Sequence, residues 1–218
     1  MTPKKAKTPH AIYRLANGTK VAGVTTYLSV LAKPALYRWN NKMGLQGIDT
    51  TVYVDNLADI GTLGHAMIMS HLTGKELDSS EYTPEQIDLA ENCFLSYLNW
   101  EKPHKVEPIL VETPLVSEQY RYGGTLDLLA KVDAIDTLID FKTGKAIYPE
   151  HYIQVAAYWM LALEHGYSVH DGWILNIPRA ETEFFDAKPV ENLEANWEMF
   201  THCLAIYELQ KILRRKKK

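Results

Sequence analysis

The spacing of apolar positions changes several times along the chain, and each change marks a new element. In the first stretch, Ile12-Tyr13-Arg14-Leu15 and Lys20-Val21-Ala22-Gly23-Val24 flank Asn17-Gly18. That dipeptide accepts the positive φ angles of a tight hairpin turn, so a short hairpin is expected. Thr25 and Thr26 are capping residue types ahead of a helix expected to run toward Trp39. It should be disturbed at Lys33-Pro34, where proline removes a donor and clashes with the previous turn. One or two further helices are expected between Thr50 and Leu72, with Gly61 and Gly64 as breaks or points of close approach. Thr83-Pro84-Glu85-Gln86 has the order of a helix start: capping threonine, proline in the first turn, and glutamine at the capping-box position. Beyond it Ile87, Ala90, Cys93, Phe94, Tyr97 and Leu98 recur at helical spacing and predict a buried stripe.

The period then shortens. Segments 106–116, 120–132 and 137–142 are rich in β-branched and apolar residues and read as a meander, with turns near Ser117-Glu118-Gln119 and 133–136. Pro149-Glu150 opens a helix that continues through Gln154, Tyr158 and Leu161 and stops at Gly166. Strands are expected at 173–177 and 183–186. A closing helix carries Leu193, Trp197, Phe200, Leu204 and Tyr207 at alternating steps of four and three. The expected fold class is α/β: a small mixed sheet flanked by helices, with a helical N-terminal part. No internal repeat is present. We expect one domain over residues 1–218: a mainly helical part to about 104, the sheet and its helix from about 105 to 188, and a closing helix with a basic tail from about 189.

Composition narrows the function classes. With 218 residues, 46% of them hydrophobic, the chain can bury one sizeable core. No run of about 18 apolar residues occurs, and Met1-Thr2-Pro3-Lys4-Lys5 is not followed by an apolar signal core. A cytoplasmic protein with no membrane partner is expected. Cys93 and Cys203 lie far apart with no C-x-x-C neighbour, which argues for buried thiols over a disulfide framework or a zinc or iron–sulfur site. A formal charge of −4 excludes nucleic-acid binding by bulk positive charge, so any such contact needs local patches. Basic residues gather at both ends, as Lys4, Lys5 and Lys7 and as Arg214, Arg215, Lys216, Lys217 and Lys218, in the pattern of solvated termini.

The chemistry concentrates in two predicted strands. Gly124-Thr125-Leu126-Asp127 is followed 13 residues after its aspartate by Asp140-Phe141-Lys142. Alternate strand residues share a face, so Asp140 and Lys142 point one way and Phe141 the other. Asp127 is flanked by Leu126 and Leu128, leaving its carboxylate opposite two core-facing leucines. Three charges converging on one side of a short sheet are costly to bury unless each is paired or bound to a metal. Hard carboxylate oxygens suit magnesium or manganese. Gln154 and Tyr158, four apart on a helix, share a face that can reach toward such a site. Glu112, between Val111 and Thr113, binds a second metal, completes the shell of the first, or faces solvent from an edge strand.

Gly124-Thr125-Leu126-Asp127, Asp140-Phe141-Lys142 and Gln154-Val155-Ala156-Ala157-Tyr158 together resemble the PD-(D/E)XK nuclease superfamily, in particular its RecB-like exonuclease branch. Upstream, Gly61-Thr62-Leu63-Gly64-His65 is similar to the helical histidine motif of that branch, and Lys33-Pro34-Ala35-Leu36-Tyr37-Arg38-Trp39 has the flavour of phage-type members. The resemblance runs from about Val24 to about Ile177. It implies a restriction-endonuclease-like core and a metal bound by Asp127, Asp140 and His65. It also implies a water-activating or charge-steadying Lys142, and substrate positioning by Gln154 and Tyr158. Without that context, His65 and His71 are equally ordinary helix histidines.

Other chemistries find no support. Thr143-Gly144-Lys145 lacks the earlier glycine of a P-loop, Ile139 standing there, and Ala146 replaces the hydroxyl. No serine nucleophile elbow is visible. The four cysteines of cluster-binding members of the branch are absent, as is any helicase segment. Tyr37, Trp39, Tyr53, Trp100 and Trp159 offer rings on which unpaired bases stack, although most should be core. The expected function is therefore a magnesium- or manganese-dependent DNA exonuclease in phage DNA processing, recombination or repair. It would act on DNA ends in a bacterial or phage-infected cell, in company with a recombinase or single-strand-binding protein. The alternatives are a catalytically idle DNA-end-binding adaptor on the same scaffold, or an endonuclease.

Overall fold

The structure, a computed structural model, describes residues 11–180 and 183–215, so the lysines at 4, 5, 7 and 216–218 and the N-terminal residues before 11 lie outside the described residues. The elements run α1 (Val24–Leu28), α2 (Pro34–Leu45), α3 (Thr50–Thr73), α4 (Pro84–Glu101), β1 (Val106–Ser117), β2 (Tyr122–Val132), β3 (Ile135–Lys142), α5 (Pro149–Glu164), β4 (Asp171–Asn176), β5 (Asp186–Pro189) and α6 (Leu193–Arg215). The five strands lie in sequence order in one sheet. β1, β2 and β3 form an antiparallel meander, β3 pairs parallel with β4, and β5 returns antiparallel. The parallel pair needs a long crossover, which α5 supplies. The fold is thus α/β, a mixed sheet flanked by helices, with a mainly helical N-terminal part.

Side chains of the central strands divide the core into two layers, alternating along β3, β4 and residues 128–130 of β2; Leu126 and Leu128 fall in different layers, so they do not form the common face opposite Asp127 expected from the sequence. Leu126, Leu129, Leu138 and Ile174 pack with Val155, Tyr158 and Leu161 of α5, Tyr27 of α1 and Phe200 of α6. Leu128, Ala130, Ile139, Phe141 and Leu175 belong to a second layer with Ile68 of α3 and Cys93 and Tyr97 of α4. Each fully buried Leu or Ile contributes roughly 1.5–3 kcal/mol, so both helical layers are held to the sheet by burial. No helix among the described residues is long and apolar enough to cross a membrane.

Local signals explain most boundaries. Thr83 and Gln86 form a reciprocal capping box at the start of α4. β2 and β3 are joined by Asp133 and Ala134, both at positive φ, a two-residue turn that is tighter than the 133–136 turn expected. The Asn17-Gly18 turn closes a minimal hairpin with a single bridge, Arg14 to Lys20. Three expectations change. Thr25 and Thr26 do not cap a helix; both lie inside α1, because Gly23 bridges Gly123 in extended conformation and the chain coils directly from there. Pro34 does not disturb a continuing helix but starts α2 in its first turn, where a missing donor costs nothing. The last strand lies at Asp186–Pro189, not 183–186, because its register against β4 begins at Asn176↔Asp186.

Candidate functional site

The site forms where two strands part. The β2–β3 ladder ends at Leu128↔Ile139. Beyond it β2 stays with β1 as far as Tyr122↔Ser117, and β3 stays with β4 as far as Lys142↔Asn176. Asp127 and Asp140 are the next residues of the two strands past the fork. The Phe141 N–H donates to Asp127 Oδ2 at 2.8 Å, so the aspartate side chain serves backbone left open by the parting strands and is itself oriented. Asp140 is 1% exposed, and the Lys142 ammonium lies against its Oδ2. Its Oδ1 has no hydrogen-bond partner among the described residues.

α3 brings the histidine. Gly61 and Gly64 are close-approach residues rather than breaks: a Cβ at Gly61 would stand 2.6 Å from Thr143 Oγ1, and one at Gly64 would stand 3.0 Å from Cys93 Cβ. Their missing side chains let α3 settle against the end of β3 and against α4 at once. His65 follows on the same helix, its ring edge-on to Phe141 at 5.7 Å. Its Nδ1 is 3.7 Å from Asp127 Oδ1 and 3.8 Å from Glu112 Oε1.

Glu112 reaches this cluster through its backbone. It sits between the paired residues Val111↔Leu128 and Thr113↔Leu126, so it stands opposite Asp127, and its φ is +44°. A left-handed glutamate inside a strand is a rare, strained arrangement. Ligand atoms of His65, Glu112 and Asp127 all lie within 4.8 Å of one another, the spacing of a metal-competent set. Side-chain exposure falls from 31% at Glu112 and 23% at His65 to 13% at Asp127 and 1% at Asp140, so the cluster is most open to solvent at Glu112 and His65.

On the other side, Gln154 Nε2 donates to the Tyr158 hydroxyl at 2.7 Å. Tyr158 is buried against Gly124, where a Cβ would come within 2.5 Å of the ring. Tyr13 shares a hydrogen bond of 2.9 Å with Thr125, and its ring lies over Gly123. The glycines and threonine before Asp127 are therefore contact points for two tyrosines.

The electrostatics follow from burial and crowding. Burial raises the Asp140 pKa, Lys142 opposes the rise, and the charge of Asp127 adds to it. Asp127 is also raised by burial, against the pull of His65 and Lys142. Burial presses His65 toward its neutral form, but Asp127 and Glu112 outweigh it and hold its pKa above the ordinary value. His151, half-buried near Lys142 and Asp140, is pushed down to about 4, first by desolvation and then by the lysine. Tyr158 is raised well above its usual value by burial and by both aspartates. A concentration of shifted groups at one fork marks a functional-site candidate.

Of the residues singled out from sequence, Asp127, His65 and Glu112 form the tight cluster. Asp140 lies outside that trio, paired with Lys142 beside it, while Gln154 and Tyr158 sit on the α5 side. His71 is elsewhere, bonded through Nε2 to Glu101 at 2.7 Å. Trp100 and Trp159 are packing residues, Trp39 pairs with Tyr53, and Tyr37 is 73% exposed on α2. Three neighbours were missed. His151 had a signal, since 151, 154 and 158 share a helix face. Asn176, buried with Oδ1 unpaired among the described residues, became visible only once β4 was in register with Lys142. Tyr13 had none.

No family model matches the chain, and no curated protein matches it. Among solved structures, it is similar to the one titled "Crystal structure of SSO0001", at 13% identity, covering 67% of this chain and 85% of that chain with a TM-score of 0.31. A likeness at that level bears on neither fold nor function.

Proposed function

We propose that this chain is a magnesium- or manganese-dependent deoxyribonuclease of the PD-(D/E)XK type that degrades DNA from its ends in the cytoplasm of a bacterial or phage-infected cell. The observation that carries the reading is the trio His65, Glu112 and Asp127, within 4.8 Å of one another, beside the buried Asp140–Lys142 pair. The donor set fits the ion. Carboxylate oxygens suit both metals, an imidazole nitrogen favours manganese, and Asp140 Oδ1 is a buried acceptor in need of a partner. Asp127, Glu112 and His65 would hold the cation, with Asp140 joining through its free oxygen. Bound there, it supplies Lewis acidity toward a phosphate oxygen and lowers the pKa of a coordinated water.

The residues of the chain do the rest. Lys142 neutralises Asp140 and carries its proton at Nζ, from where its ammonium can hold negative charge on a phosphate oxygen. Tyr158 stays protonated at all working pH values and so acts as a hydrogen-bond donor, fixed by Gln154. Hydrogen-bonded to each other near Asp140 and Asp127, the two can position the backbone of the strand being cut.

The test uses end-labelled linear DNA and covalently closed circular DNA, each single- and double-stranded, with chelator, magnesium or manganese. Loss from linear but not circular DNA, dependent on the ion and abolished by Asp127→Asn and Asp140→Asn, is the expected result. Cleavage that persists in chelator or in Asp140→Asn overturns the reading. Binding of DNA ends with no turnover in any divalent ion would favour the idle adaptor, and cutting of closed circles the endonuclease.

A further inference from the structure

α6 carries two apolar stripes, of which the domain uses one. Leu193, Trp197, Phe200, Leu204 and Tyr207 face the core. On another side of the same helix stand Met199 at 48% exposed, Ile206 at 46%, Leu209 at 59% and Leu213 at 61%, with the exposed His202 between the first two and Ile212 beside the last. Positions 199, 202, 206, 209 and 213 alternate steps of three and four, the seam of a helix built to pair with another helix. From Leu209 to Arg214 every residue is exposed, so the last turns extend past the domain. A free helix end of that length is marginal in water, and four large exposed apolar residues on one line ask for cover.

The charges name the occupant. Glu191, Glu194 and Glu198 occupy the first half of this segment with no Lys or Arg between 190 and 210, whereas Lys211, Arg214 and Arg215 occupy its end with no acid after Glu208. Met199 and Leu213 stand seven residues to either side of Ile206. We propose that this face of α6 is a homodimer interface, in which α6 of a second copy of the chain packs antiparallel across a two-fold axis at Ile206. In that register Met199 meets Leu213 of the other copy, Ile206 meets Ile206, and Glu198 comes beside Arg214. A parallel pairing would set acid on acid and base on base. An interface in which the same patch serves both partners closes on itself and stops at the dimer. A single helix pair lies at the small end of stable interfaces, so the dimer should dissociate on dilution.

Sedimentation velocity of the full chain over a concentration series tests this. The expected result is a monomer–dimer equilibrium that Ile206→Glu abolishes and that Glu198→Lys or Arg214→Glu weakens by about tenfold or more. The double variant Glu198→Lys/Arg214→Glu should restore association, and Ile206→Cys should cross-link to itself under mild oxidation while the buried Cys93 and Cys203 stay unlinked. All positions changed are exposed, so circular dichroism and melting temperature should stay at wild-type values. A chain that remains monomeric at every concentration overturns the proposal, as does a dimer indifferent to the α6 variants. A monomer that sediments with anionic lipid vesicles through the same stripe would also overturn it, assigning the face to a membrane surface.

Discussion

Replacing Lys142 by methionine isolates the energetics of the fork. The lysine is 18% exposed and Asp140 1%, so the pair is mostly withdrawn from water, and among the described residues no other cation is paired with that carboxylate. Removing one partner of a buried pair leaves the other charge uncompensated, at a cost of about 3–5 kcal/mol. The lower figure applies here, because the lysine keeps some contact with solvent. The pH dependence has a definite sign. Asp140 already has a folded-state pKa above its unfolded value, and without Lys142 it rises further, so the folded chain binds the proton more tightly than the unfolded chain. Protonation then relieves the penalty. The deficit of Lys142→Met relative to wild type should be full near neutral pH and shrink as the pH falls through the folded-state pKa. Urea unfolding at several pH values from about 8 to about 5 reads both quantities. Adding Asp140→Leu should recover most of the loss, since a hydrophobic pair of similar volume is often neutral or better in such a place. A Lys142→Met chain within about 0.5 kcal/mol of wild type, with a parallel pH profile, would refute the reasoning.

Gly124→Ala should cost about 1–3 kcal/mol, because its Cβ would stand 2.5 Å from the Tyr158 ring; in a double-mutant cycle with Tyr158→Ala, urea melts should show a combined cost below the sum of the two. His151 should titrate near pH 4 by NMR, as its ring nitrogen accepts from the Tyr148 N–H and burial and Lys142 oppose its charge. A histidine whose folded pKa is depressed stabilises fully above about 6.5 and loses that stability as the pH falls toward about 4, so His151→Gln should flatten the acid limb of the stability curve over that window. Cys93 should resist alkylation in the native chain, its thiol being buried and pushed up to about 12, and react fully once unfolded; labelling followed by mass spectrometry decides.

Much of the fold was legible because local signals agree with the tertiary result. The capping box at Thr83, the stripe through Ala90, Cys93 and Tyr97, and the three meander strands are each specified by residues within a few positions. The start of α1 was not, because it depends on Gly23 lying beside Gly123, a hundred residues away. The position of β5 was not, because its pairing with β4 fixes it and four residues carry too little pattern of their own. In the site, the Gly-x-x-Gly-His spacing was readable as close approach, yet the surfaces approached, Thr143 and Cys93, come from two different elements. Asp140 and Lys142 were readable as neighbours on one strand face, and they do pair.

Glu112 shows why the remainder could not be read. In a regular ladder the sum of paired positions would seat it directly across from Asp127 and hold its backbone between Val111 and Thr113. Alternation then fixes only which face it occupies, and an edge-strand glutamate on that face is as well solvated as it is useful. Its φ of +44° is what decides the matter, and no side-chain pattern encodes that angle. A non-glycine residue there costs on the order of 1–3 kcal/mol, which the paired residues on either side must hold in place. Glycine would relieve the strain and remove the carboxylate; a regular strand would relieve it and leave Glu112 in the ladder, its carboxylate no longer placed by that bend. The chain keeps neither solution. The cost is borne at a position whose carboxylate lies within 4.8 Å of ligand atoms of His65 and Asp127, so the strained backbone and the cluster coincide.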